Sequence, residues 1–206
     1  MRKVKISGYL SNFNNKKLNK GDIYLLDDDF EIVCQSQTNS DGFYTMEVKQ
    51  DQYMGIAGVK DYGVNYLECW AWNVPAFSDL EINMRIDKLE VYALNAFVPQ
   101  GGYPQIIIYF RPMSLTRDKI NKENSNDNSS IAPKLDLNSI EVMVNDLNVK
   151  ILSLNEVNEY TPEDKPESYL VSVEKPKLIK GLNLIKVIIK DQKYKNYGEA
   201  ILFKYF

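Results

Sequence analysis

Apolar and polar residues alternate along almost the whole chain, and the three-and-four spacing of helices is nearly absent, which predicts an all-β protein. Val4, Ile6, Gly8 and Leu10 alternate with Lys3, Lys5, Ser7 and Tyr9 at the start. The same pattern predicts strands at 22–26, 30–36, 42–48, 54–60, 66–73 and 80–95. Asp27-Asp28-Asp29 and Asn39-Ser40-Asp41-Gly42 supply the tight turns that hairpins between such strands need.

From Phe97 to Pro104 the chain reads Val-Pro-Gln-Gly-Gly-Tyr-Pro after the phenylalanine, a run that suits neither a helix nor a central strand. A domain boundary is expected there, giving one unit over 1–98 and a second over 104–206. An apolar strand, Gln105 to Phe110, opens the second unit and leads into a polar tract from Thr116 to about Asn138. That tract, above all Asn121 to Ser130, is expected to be a mobile surface loop because it has little apolar surface to bury. Strands resume at 140–144, 148–154, 168–174, 182–190 and 198–205. Many short strands with turn signals between them predict two β-sandwiches in series.

Composition removes several chemistries. The 206 residues include no His, so Ser-His-Asp and Cys-His nucleophiles, His-ligated zinc and imidazole proton shuttles are absent. Lys and Arg number 25 against 28 Asp and Glu, a net charge of −3, and neither sign collects in a block. That argues against a nucleic-acid partner and against a polybasic membrane patch. No apolar run has the length of a membrane span, so no membrane insertion is expected. The start shows no apolar signal-peptide core, which makes the cytoplasm the expected location, or a secreted or surface one if a leader has been removed.

Cys34 and Cys69 are expected as reduced thiols in apolar strands. No cofactor or metal is expected. Asp27-Asp28-Asp29 lacks the spaced ligands and distal Glu of a calcium loop and reads as a solvated hairpin tip. Gly101-Gly102 and Gly55-Ile56-Ala57-Gly58 lack the strand–loop–helix context of a phosphate cradle.

Three segments carry a family resemblance: Val4-Lys5-Ile6-Ser7-Gly8-Tyr9-Leu10, Lys20-Gly21-Asp22-Ile23-Tyr24-Leu25 and Thr38-Asn39-Ser40-Asp41-Gly42-Phe43-Tyr44. With these the first half resembles the carboxypeptidase regulatory-like (transthyretin-like, prealbumin-like) β-sandwich family. The second half, from Lys180-Gly181-Leu182-Asn183-Leu184 to Asp191 and through Gly198-Glu199-Ala200-Ile201, looks like a bacterial immunoglobulin-like domain. The resemblance implies a prealbumin-like sandwich followed by an immunoglobulin-like one. Folds of this kind carry many functions, so it implies none in particular.

Candidate function centres on Tyr66-Leu67-Glu68-Cys69-Trp70-Ala71-Trp72-Asn73, which holds both tryptophans. Alternation places Tyr66, Glu68, Trp70 and Trp72 on one face and Leu67, Cys69 and Ala71 on the other. With nearby Tyr62, the indoles and the carboxylate form a candidate ligand-binding face for a sugar ring or a partner's side chains. The competing reading is that the indoles fill a core or the seam between the sandwiches. Arg85 stands among Glu81, Asn83 and Asp87, with Ile82, Met84 and Ile86 opposite, and with Glu68, Glu90 and Arg111 it makes a candidate polar cluster at that seam. Arg111 also precedes the polar tract and is a candidate for ordering it. No pair of carboxylates is marked out by its sequence surroundings.

These observations favour a non-catalytic binding or protein-interaction module of a bacterial type. A partner would be met through an aromatic patch, an exposed strand edge or the polar tract. The first alternative is a carbohydrate-binding module using an exposed aromatic strand face, and the second is a small hydrolase using paired carboxylates.

Overall fold

The computed structural model describes residues 2–124, 130–158, 167–177 and 180–206. It is all-β and built of sandwiches, as the alternation predicts. Among the described residues there are sixteen strands, one helix and a short 3-10 turn.

The N-terminal strands are β1 (Lys3–Asn12), β2 (Asp22–Leu26), β3 (Ile32–Gln37), β4 (Phe43–Lys49), β5 (Asp51–Val59) and β6 (Cys69–Ala76). The stretch expected as one strand over 80–95 is three: β7 (Leu80–Glu81), β8 (Met84–Ile86) and β9 (Leu89–Phe97). The break has a clear cause. β7 and β8 pair with β1, whereas β9 pairs with β10 (Gln105–Ser114), so the chain leaves one sheet for another within these residues. The remaining strands are β11 (Ile140–Val144), β12 (Leu147–Asn148), β13 (Ile151–Asn158), β14 (Glu167–Glu174), β15 (Leu182–Lys190) and β16 (Tyr197–Tyr205).

They form three sheets. A central sheet of eight strands runs β12-β11-β15-β16-β6-β5-β2-β3. A small N-terminal sheet has β4-β1-β7 with β8 also on β1, and a small C-terminal sheet runs β13-β14-β10-β9. The small sheets cover opposite faces of the central one. Ile6, Leu10, Tyr44 and Met84 meet Cys69, Ala71, Ile201 and Phe203 in one core. Val91, Ile108, Phe110 and Val171 meet Trp70, Trp72, Ala200 and Leu202 in the other. The two sandwiches therefore share one continuous sheet. β6 and β16 pair in parallel, Ala200 opposite Trp70 and Leu202 opposite Trp72, and both are covered on both faces, which explains their near-unbroken apolar sequences.

Residues 98–104, where a boundary between two domains was expected, connect β9 to β10, and those two strands pair with each other. β9 packs in the same core as the C-terminal strands. Within β9 the left-handed Ala93 (φ 52°) coincides with a shift of register against β10 between Tyr109 and Arg111, so Leu89 and Val91 and then Leu94 and Ala96 face the core.

The expectation of a mobile loop over 116–138 needs correction. Helix α1 (Leu115–Glu123) begins there, with the Ser114 hydroxyl accepting from the Arg117 N–H and with a Lys122–Asp118 pair at 2.8 Å. Arg117 also reaches the buried Asp191 at 3.0 Å, which fastens the helix to the turn before β16. Further on, Tyr169 pins the chain by accepting from the Leu135 N–H and donating to the Pro133 carbonyl. Residues 125–129, also within that expectation, lie outside the described residues.

Two glycines of the resemblance have geometric reasons. Gly42 adopts φ 72° in the turn where the Asn39 side chain accepts from the Asp41 and Phe43 N–H groups. A methyl group at Gly8 would overlap the Ile82 carbonyl, to which the Tyr44 hydroxyl donates at 2.7 Å.

Candidate functional site

Trp70 and Trp72 project from one face of β6 and stack on each other, ring centroids 4.7 Å apart and planes 16° apart. Tyr92 of β9 closes over both, edge-on, at 6.2 and 5.6 Å. The indoles are only 7% and 8% exposed, as the core reading expects and unlike the open aromatic strand face of the alternative. The cause is β9, which packs over β16 and β6 in the middle of the central sheet and takes the surface a ligand would use. Neither indole N–H meets an acceptor in hydrogen-bond geometry among the described residues.

Beside Trp70 lie two carboxylates. Glu90, from β9, is 2% exposed, and burial first, then the neighbouring Glu68 charge, pushes its pKa up to about 8. Glu68 is raised as well, by burial. The Trp70 indole N–H is close enough to both to oppose these rises without reaching full hydrogen-bond geometry. Tyr62 joins the group: burial of its phenol, then the charges of Glu90, Glu68 and Asp118, push it up to about 12. Glu68 and Glu90 are thus a carboxylate pair marked by its surroundings, which the sequence did not single out. The pairing depends on β9 folding back over β6.

The other candidates separate. Tyr66 packs against the N-terminal core rather than beside the indoles, because β6 starts only at Cys69 and the alternation does not extend back through Glu68. Arg111 stands on β10 opposite Tyr92, two residues before Met113, which pairs with Glu90. Arg85 is not part of this cluster. It lies on β8, where its guanidinium and main-chain N–H both bind the buried Glu199 of β16 and its cation sits 4.4 Å over the Phe13 ring. Glu199 gave no signal in the sequence, since it reads as one polar residue in an apolar strand.

A second region lies at the edge of the central sheet, three strands away from β6. β3 is its last strand, paired only with β2, and among the described residues no strand lies on its outer side. β4 is likewise the last strand of the N-terminal sheet. At one end the Ser36 hydroxyl donates to the Thr45 carbonyl at 2.8 Å and ties the two edges together. Towards the other end a cleft of about 580 Å³ opens, floored by Val48 and Tyr53 and walled by Val33 and Cys34. Cys34 is partly exposed and Cys69 wholly buried, both as free thiols. Phe30, Ile32 and Val33 are 52%, 54% and 47% exposed. Asp27 caps the adjoining hairpin, its carboxylate accepting from the Asp29 and Glu31 N–H groups.

No protein-family model matches the chain, and no curated protein matches it in sequence. Similar solved structures include a DUF3823 family protein from Bacteroides ovatus, at 10% identity and a TM-score of 0.32 over 98% of each chain. The major pilin subunit BcpA of Bacillus cereus gives 10% identity and a TM-score of 0.33 over 98% of this chain and 69% of that one. The T6 backbone pilin of Streptococcus pyogenes gives 8% and 0.28 over 100% and 65%. Likeness at this level assigns neither a family nor a function. Among the described residues no helix is long and apolar enough to cross a membrane.

Proposed function

We propose that the chain is a non-catalytic protein-interaction module that receives its partner at the outer edge of β3. The observation that carries this reading is the edge itself: a strand that ends an eight-stranded sheet with no strand on its outer side among the described residues, and with Phe30, Ile32 and Val33 about half exposed. Such edges pair readily with other chains, and soluble proteins usually blunt them with Lys, Pro or a covering segment. β3, Ile-Val-Cys-Gln-Ser-Gln, carries no Lys, Pro or covering strand, and its one protective device is a bulge at Val33 near its start, which leaves Cys34 to Gln37 in regular register. Burial of Glu90 and of both indoles supports the non-catalytic reading, because it withdraws one of the two carboxylates and the stacking rings from a sugar.

The test is retention. The full chain, immobilised and exposed to extract of its source cells, is expected to hold a partner that the double variant Ile32→Lys, Val33→Lys releases. Both substituted side chains are already in water, so the thermal midpoint should stay in place. Equal retention by the variant would overturn the reading.

A further inference from the structure

We infer that the mouth between β3 and β4 takes up one extended segment of a partner polypeptide in which Lys or Arg alternates with aliphatic residues. This rests on the interaction reading above and supplies the partner's chemistry.

Three features of the mouth select that occupant. The first is backbone geometry. β3 and β4 are the free edges of two sheets that face each other across a core, tied at Ser36 and Thr45 and apart beyond them. A segment laid along β3 continues the central sheet, with roughly 3.3 Å of strand per residue, and pairs in regular register with about four residues, Cys34 to Gln37, up to the bulge at Val33. The second is the apolar floor. Alternate side chains of that segment point between the sheets, where Val33, Val48 and Tyr53 offer aliphatic and aromatic contact.

The third is charge. Five carboxylates, Asp27, Asp28, Asp29, Glu47 and Asp51, line the cleft against only two ammonium groups, Lys3 and Lys49. Lys3 lies 3.8 Å from Glu47 and offsets part of one of them. The remaining negative field attracts a cationic segment and repels an acidic one. A second folded copy offers its own β3, which carries no cation, on a molecule of net charge −3, and its alternating Lys3-Val4-Lys5-Ile6 is already paired within β1 to β4 and β7. It does not meet the charge requirement.

Cys34 lines the cleft, whereas Cys69 is fully buried, so the reaction of the folded protein with N-ethylmaleimide reads occupancy of the mouth. The probes are an alternating Lys-Val nonapeptide, its Glu-Val counterpart, and the Lys-Val peptide with alternate amides N-methylated. The Lys-Val peptide is expected to slow alkylation of Cys34 roughly tenfold at saturation, and the other two to leave it unchanged. The double variant Asp28→Lys, Asp29→Lys is expected to weaken that protection about tenfold with the thermal midpoint unchanged. Equal protection by Lys-Val and Glu-Val peptides would overturn the charge requirement while leaving strand uptake at the edge. Equal protection by the N-methylated peptide would overturn strand pairing. Protection that grows with protein concentration and no peptide would assign the mouth to a second copy and overturn the inference. Absence of protection by every peptide would also overturn it, and the retention test with Ile32→Lys, Val33→Lys still decides the interaction reading separately.

Discussion

Arg85 reaches from β8 to Glu199 on β16, 114 residues later, with its Nε and Nη2 2.8 and 2.6 Å from one carboxylate oxygen and its main-chain N–H 2.8 Å from the other. The contact ties the N-terminal small sheet to the strand at the centre of the shared sheet. Glu199 is almost fully buried, so it depends on this pairing. Removing one member of a buried pair leaves an uncompensated charge and costs about 3–5 kcal/mol. Arg85→Ala is therefore expected to lower stability by about 3 kcal/mol in urea unfolding. Adding Glu199→Gln should recover a large part, since an amide tolerates the site better than an unpaired carboxylate. Additive losses in the double variant would show that the two residues are not coupled.

Trp70 and Trp72 are expected to behave as core residues. Trp72→Ala should cost about 3–5 kcal/mol, as truncation of a large buried aromatic does. Acrylamide should quench the intrinsic fluorescence of the native protein weakly, and no glycan should change it. Strong quenching in the native state would contradict the burial of the stacked indoles beneath Tyr92.

Glu90 makes stability depend on pH. Above 4.5 the carboxyl of the unfolded chain ionises, whereas the folded one keeps its proton up to about 8. In that window the native state binds more protons than the unfolded state, so stability falls as pH rises, by up to roughly 1.4 kcal/mol per pH unit, and levels off beyond it. Glu68, raised by burial too, adds with the same sign. Glu90→Gln should flatten the slope and stabilise the protein at neutral pH, measured as urea midpoints from about pH 5 to pH 8. An unchanged slope would place its source elsewhere.

Phe30→Gly separates stability from recognition. Glycine relieves the left-handed strain at φ 62°, which costs other residues about 1–2 kcal/mol, so the variant should gain about 1 kcal/mol after the added chain entropy is set against it. Phe30 is not among the residues that line the cleft, so protection of Cys34 by the Lys-Val peptide should stay as it is. A variant that loses stability would show that the ring supports the hairpin.

The all-β class was legible because strand alternation is local: β2, β11 and β15 lie where the pattern puts them, and Asn39 to Gly42 forms the turn its residues demand. Helix α1 was hidden because its surface is polar nearly all round, and what holds it is the Ser114 cap and the distant Asp191. The Trp70–Trp72 pairing on one face followed from parity, but their burial depended on β9, which no local signal places.

By itself, then, the sequence determined the strands, their faces, the turns and the absence of imidazole chemistry, all set by neighbours a few residues apart. Only the tertiary structure decided that two sandwiches share a sheet, that Glu90 meets Glu68, that Arg85 serves Glu199 and that β3 and β4 part to leave a mouth. Those outcomes rest on which strand lies beside which. Alternation fixes the faces of a strand and leaves its neighbours to the packing of the whole chain.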